Sequence, residues 1–162
     1  MTIAEINGLE RPGFVEILGG IFEHSPWVAE RAWSRPFTSL DDLCAAMIAQ
    51  VETATREEQL ALLRAHPDLG TRARVSESSA CEQAGVGLDR LTPEEYERLH
   101  RLNTAYKEKF GFPFLYAVKG SSKTAILEAL ALRLESTPEV EFREALRQVY
   151  RIARFRLEGL IT

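Results

Sequence analysis

His66-Pro67-Asp68-Leu69-Gly70, followed downstream by Ser79-Ala80-Cys81-Glu82-Gln83-Ala84-Gly85, is the stretch around which the chain is organised. Before it, residues 56–65 carry helical spacing, with Thr55 and Glu58 as a capping box and Leu60, Leu62 and Leu63 as the apolar side. Pro67 disfavours the α conformation at the preceding residue, so this helix stops at His66. The imidazole is thereby predicted at a helix C-terminus, where partial negative charge favours its protonated form. Gly70 lets the chain turn sharply. A second short helix is predicted from about Glu77 to Ala84. On it Ser79, Glu82 and Gln83 are spaced i, i+3 and i+4 and share a face that offers a hydroxyl, a carboxylate and an amide. Turned toward His66, that face makes a hydrogen-bonding pocket with a titratable acid. Turned to water, it is a solvated face and His66 a plain turn residue. The local pattern leaves both readings open.

The same helix-stop-helix grammar extends toward the N-terminus. Residues 2–7 read as a short helical turn. Residues 11–22 place Phe14, Ile17, Leu18 and Ile21 at helical spacing behind Pro12, with Gly19 and Gly20 weakening the end. His24-Ser25-Pro26 reads as a stop and restart, with Pro26 at the first helical position and Trp27, Val28 and Trp33 as apolar anchors. His24 is expected to cap or pack rather than to catalyse. Ser39 to about Thr53 is an amphipathic helix capped by Ser39, with Asp41 and Asp42 in its first turn. Cys44 lies on its apolar stripe as a small core residue. Residues 71–76 form a loop in which Arg72 and Arg74 are within reach of an anionic substrate, or simply solvated.

Toward the C-terminus, Thr92-Pro93-Glu94-Glu95 combines a capping box with proline at the first helical position. The helix runs to about Phe110, and Gly111 ends it. Tyr96, Leu99, Leu102, Asn103 and Tyr106 line one side, and His100 falls among charged residues. Phe112-Pro113-Phe114-Leu115-Tyr116-Ala117-Val118 is the most apolar run, and Pro113 keeps its start out of a regular helix. A buried irregular segment leaves backbone N–H and C=O groups without ladder partners, and such groups can bind the edge of a planar, amide-rich ligand. A plain core segment is the alternative. Helices are predicted over residues 122–134 and from Thr137-Pro138 to about Leu160. In the last one Arg156 falls along the apolar arc, while Arg143, Arg147, Arg151 and Arg154 lie mostly on the other side. An arginine aimed inward needs a partner such as Glu82 or a substrate carboxylate, unless it snorkels along the arc's edge.

No segment shows a period-2 strand pattern, so the expected fold is all-α, a compact single-domain bundle of about eight or nine helices spanning residues 1–162. A chain of 162 residues is long enough to bury about two-thirds of its unfolded surface. Its net charge of −4 argues against a nucleic-acid or anionic-membrane partner. No apolar run is long enough to span a bilayer. The N-terminus lacks a signal-peptide core, and the two cysteines suggest no disulfide framework, so a cytosolic, reduced protein is expected. There is no Walker loop, no glycine-rich phosphate fingerprint, no Gly-x-Ser-x-Gly elbow and no cysteine pair at metal-ligand spacing. His24, His66 and His100 sit far apart in unlike contexts, so no metal site and no cofactor are expected.

His-Pro-Asp-Leu-Gly, then Ser-x-x-Glu-Gln-Ala-Gly, then Lys109-Phe110-Gly111-Phe112-Pro113-Phe114 together resemble the 2-oxo-4-hydroxy-4-carboxy-5-ureidoimidazoline (OHCU) decarboxylase family. The likeness also takes in Glu23-His24-Ser25-Pro26-Trp27-Val28-Ala29, Arg35-Pro36-Phe37 and the C-terminal helix, and so spans nearly the whole chain. It implies cofactor-independent decarboxylation of OHCU to (S)-allantoin in urate breakdown, by a homodimer. It further implies His66 as proton donor, with Glu82 and Arg156 as further catalytic groups. The substrate contacts it implies are Pro67, Ser79, Glu82, Gln83, Phe114, Leu115, Tyr116, Ala117 and Val118. A rival of another class is a non-enzymatic helical module that docks a partner through an exposed Phe110–Phe114 surface.

Overall fold

Nine helices and no strand occur among the described residues of the computed structural model, which are 1–34, 36–71 and 76–162. In chain order they are α1 (Ile3–Asn7), α2 (Arg11–Leu18), α3 (Trp27–Ala32), α4 (Leu40–Glu52) and α5 (Arg56–Arg64). They continue with α6 (Glu77–Gly85), α7 (Pro93–Phe110), α8 (Lys123–Arg133) and α9 (Pro138–Leu160). This is the all-α architecture that the helical periodicity predicts. The chain divides into two compact units, Met1–Ala65 with Tyr150–Thr162, and His66–Val149. Arg35, Arg72 and Arg74, which the sequence reading singled out, lie outside the described residues.

The helix boundaries follow local chemistry. Thr2, Thr55 and Thr92 each open a helix with a complete capping box. Ser39, Ser76 and Ser122 accept the N–H three residues ahead. Gly111 closes α7 in the left-handed region at φ 82°. The predicted helix over residues 11–22 stops earlier, at Leu18, where Gly19 is the C-cap. Two glycines in succession withdraw the side-chain packing that would carry the last turn onward. Ile21 and Phe22 are still buried, but as part of an irregular turn.

In the first unit α3 packs against both α2 and α4. Phe14, Leu18, Val28, Leu43 and Met47 are almost fully buried in its core. Asn7 fixes the stretch before α4 by bonding Phe37 both ways, Nδ2 to its carbonyl at 2.8 Å and Oδ1 from its N–H at 2.7 Å. Cys44 is a buried member of this core, and burial pushes its thiol pKa up, as suits a packed side chain rather than a nucleophile. His24 is neither capping nor packed. It is exposed, at φ 45° in the left-handed region, where a histidine is better tolerated than most residues.

The second unit is built on α7 and the aromatic run that follows it. Tyr106 is fully buried, with ring centroids of Phe110, Phe112 and Phe114 at 4.6, 6.0 and 5.5 Å. Phe112 meets Phe142 edge-on at 6.0 Å. Phe112 and Phe114 are buried, which removes the exposed aromatic docking surface that the rival module required. Residues 112–118 belong to no helix, so the irregular, buried character expected of this run is observed.

Candidate functional site

Ala65 is the C-cap of α5, and His66 follows at once as the first residue of the second unit. The imidazole is buried and Pro67 is half-buried. Side-chain bonds from two helices help to hold the turn that carries them. The Gly70 N–H donates to Gln83 Oε1 at 2.8 Å, which ties the turn to α6. Asn103 Nδ2 donates to the Leu69 carbonyl at 3.0 Å, and Lys107 Nζ reaches Asp68 Oδ2 at 3.4 Å, which tie it to α7. Gly70 sits at φ 71°, and a Cβ there would stand 2.4 Å from Leu99 Cδ2. Glycine is therefore required twice over, by conformation and by space. On α6, Ser79 and Gln83 are buried and Glu82 is half-buried. The predicted shared face thus turns inward rather than to water. Its amide already has one task, because Gln83 Oε1 is the acceptor that holds Gly70.

The 112–118 segment is gripped at two backbone atoms. Arg133 Nη1 donates to the Leu115 carbonyl at 2.6 Å, and Gln148 Oε1 accepts the Ala117 N–H at 2.9 Å. Arg133 also stacks over the Phe114 ring at 4.6 Å and bonds Glu141 at 2.5 Å through Nε. Tyr106 donates its hydroxyl to the same Glu141 oxygen at 2.7 Å. Burial, and then the bond to Glu141, push the Tyr106 pKa well above its ordinary value, so the phenol stays protonated and remains a donor. The sequence reading left these backbone groups for a ligand. Leu115 O and Ala117 N are in fact spent within the fold, whereas among the described residues Tyr116 hydrogen-bonds only through its side-chain hydroxyl, with Ser121 at 3.0 Å.

Arg156 belongs to the first unit, and the choice between it and Arg154 is clear. The Arg156 side chain is 8% exposed and that of Arg154 is 40% exposed. Arg154 pairs with Asp41 and Glu158 at the surface. Arg156 donates to Glu23 Oε2 at 2.8 Å and to the Gly20 and Ile21 carbonyls at 3.3 Å each. Glu23 is thus one carboxylate partner of Arg156, in addition to the Glu82 or substrate carboxylate that the sequence suggests. Glu23 is itself buried, and His24 Nε2 stands 3.6 Å from its other oxygen. The Glu23 signal was available: an acid directly before His24-Ser25-Pro26, in a turn between two apolar helices. Glu141 and Gln148 were missed as well. They stand at i and i+7, with Ala145 between them, on the apolar arc of α9, where an acid and an amide call for buried partners.

The described groups thus form two local constellations. His66 and Pro67 sit on a turn pinned to the helix that bears Ser79, Glu82 and Gln83. Separately, an anchored backbone segment carries Phe114–Val118. Arg156, with Glu23, is a buried charge pair of the first unit. A cavity of about 100 Å³ beside the same turn is lined by Asp68–Thr71, Tyr96, Leu99, His100 and Asn103, and not by His66. No group of three or more metal-ligating side chains occurs among the described residues, and none of their helices is long and apolar enough to cross a membrane.

The family model for OHCU decarboxylase matches residues 7–158. A 2-oxo-4-hydroxy-4-carboxy-5-ureidoimidazoline decarboxylase of Haloferax volcanii is 50% identical over 158 residues, covering 97% of this chain and 94% of that protein. A uric acid degradation bifunctional protein of Bacillus subtilis is 48% identical over 99% of this chain, which spans only 33% of that longer protein. The crystal structure of an (S)-allantoin synthase superposes with a TM-score of 0.79 at 36% identity, covering 99% of this chain and 54% of that one. An all-helical chain with this motif set, matched nearly end to end, is an enzyme of the carboxy-lyase class. It belongs to the OHCU decarboxylase family.

Proposed function

We propose that the protein decarboxylates OHCU to (S)-allantoin, with His66 as the proton donor. The observation that supports this most is the pinned turn: a buried imidazole sits on a turn that the Gly70–Gln83 bond ties to a helix with an inward-turned polar face. The substrate carries its own electron sink. When the bond from ring carbon 4 to the carboxylate breaks, CO₂ leaves and the electron pair enters the adjacent C=N. The hydroxyl on carbon 4 then becomes a carbonyl, and the proton it gives up balances the one taken by the ring nitrogen. Carbon 5 takes one further proton, which His66 delivers to a single face. Delivery from one side supports the (S) product, and the likeness to an (S)-allantoin synthase supports the same choice. General-acid catalysis of this kind is worth about 10²–10⁴-fold.

Glu82 holds the substrate hydroxyl or ureido N–H beside His66. Ser79 and the Nε2 end of Gln83 bind its remaining polar groups, and Pro67 forms part of the wall. The Phe114–Val118 segment receives the ring amides. Arg156 supplies positive charge for a substrate oxygen, and its bond to Glu23 sets its orientation. In the same reading the enzyme is a cytosolic homodimer, which the free thiols of Cys44 and Cys81 support for the compartment.

The test is His66→Asn, assayed on OHCU generated in place by urate oxidation and hydrolysis. The variant is expected to keep its helical circular dichroism and lose at least about 100-fold in kcat, with racemic allantoin accumulating at the uncatalysed rate. Near wild-type kcat in the variant refutes the acid assignment.

A further inference from the structure

We propose that Arg133 and Gln148 are positioning residues that set substrate affinity by holding the backbone of Tyr116 in register. The proposal rests on the substrate reading above, since it concerns how the 114–118 segment meets a ring amide.

The segment has no ladder to fix it, and proline at 113 removes one donor at its start. Its geometry is set instead by two side chains from two different helices. Arg133, the last residue of α8, grips the Leu115 carbonyl at 2.6 Å. Gln148, on α9, grips the Ala117 N–H at 2.9 Å. The gripped groups lie two residues apart. The residue between the two grips, Tyr116, is held by neither anchor at its own N–H or C=O. Neither group has a hydrogen-bond partner among the described residues. A backbone donor and acceptor on one residue, between the buried Leu115 and Ala117, match the edge of a cyclic amide or ureide, which also presents one of each.

The anchors are themselves held. Glu141 accepts from Arg133 Nε, and Tyr106 donates to the same carboxylate. Gln148 Nε2 donates to Glu144 Oε1 at 2.9 Å, which forces its carbonyl end toward Ala117. Both anchors act through the backbone of the segment. Each acts by limiting how far the Tyr116 amide edge can wander. Because that edge is used equally before and during the reaction, loosening it should raise KM and spare kcat.

Gln148→Leu keeps the volume and removes the acceptor. It is expected to raise KM for OHCU about tenfold, the worth of one hydrogen bond, with kcat within about threefold of wild type. It should weaken allantoin binding by calorimetry to the same degree. The exchange Gln148→Glu with Glu144→Gln restores both bonds with donor and acceptor reversed between 144 and 148, and should return KM to within about threefold. Arg133→Lys keeps the charge against Glu141, but one ammonium serves the Leu115 carbonyl poorly, so its KM should rise with kcat spared. KM unchanged in Gln148→Leu, or not recovered by the folded exchange variant, overturns the proposal. A Gln148→Leu protein that does not fold passes the decision to Arg133→Lys and the exchange variant. Wild-type protein that binds allantoin without turning over OHCU refutes the decarboxylation reading, and the calorimetric arm then decides the anchors alone. Wild-type protein that does neither overturns both.

Discussion

Among the described residues, each unit buries a guanidinium against a carboxylate, and each pair staples an irregular stretch of chain to a helix. In the first unit Arg156 and Glu23 hold the turn over residues 20–23, with side-chain exposures of 8% and 1%. In the second, Arg133 and Glu141 hold residue 115, with exposures of 13% and 2%. The difference lies in what surrounds them. The Glu141 oxygen is capped by a tyrosine that cannot lose its proton at ordinary pH, and Arg133 lies over an aromatic face. Glu23 instead has the exposed His24 imidazole beside its second oxygen. The Arg133 pair is thus enclosed by a phenol and an aromatic ring, while the Arg156 pair has a solvent-exposed side chain beside it.

The largest effect that would break this comparison comes from removing one partner. Arg133→Met and Arg156→Met each take the guanidinium away from a buried carboxylate, and each should cost about 3–5 kcal/mol in urea unfolding. If only one does, the pairs are not equivalent in energy. Replacing both partners separates structure from function. Arg133→Met with Glu141→Leu, and Arg156→Met with Glu23→Leu, should each recover most of that stability, since well-packed apolar pairs often match buried ion pairs. The first double variant should keep kcat while KM rises, and the second should lose kcat. Equal loss of kcat in both would erase the distinction.

The smallest effect comes from an exposed pair. Glu58 bonds Arg31, and that bond, with the Thr55 backbone N–H next in size, lowers its carboxyl to about 2. The folded state holds this proton more weakly than the unfolded chain. The pair's contribution is therefore present above the ordinary value of 4.5 and fades as pH falls toward about 2. Comparing acid unfolding of wild type with Glu58→Gln should show a small difference at neutral pH, screened by salt and absent near pH 2.

Much of this was legible in the sequence because it was local. The stop at His66-Pro67, the three threonine capping boxes and the Gly111 terminus each depend on residues within one turn of one another. That Ser79, Glu82 and Gln83 share a face, and that residues 112–118 are apolar and irregular, followed from spacing and composition, but which way that face turns did not. The pairings were not legible, because they join distant positions. Arg156 announced a need for a carboxylate, but 133 residues separate it from Glu23, and no periodicity links them. Gln83 looked like a ligand-binding amide, and its carbonyl end serves the turn at Gly70. Early termination of α2 was foreshadowed by Gly19 and Gly20, whose weakening effect proved sufficient to end it.

Position 70 shows how little latitude such a turn leaves. Its dihedral strains any side chain, and a Cβ there would also meet Leu99 Cδ2 at 2.4 Å, so relief of one constraint would not relax the other. A saturation library at this codon should strongly favour glycine, and trimming Leu99 alone should not broaden the outcome.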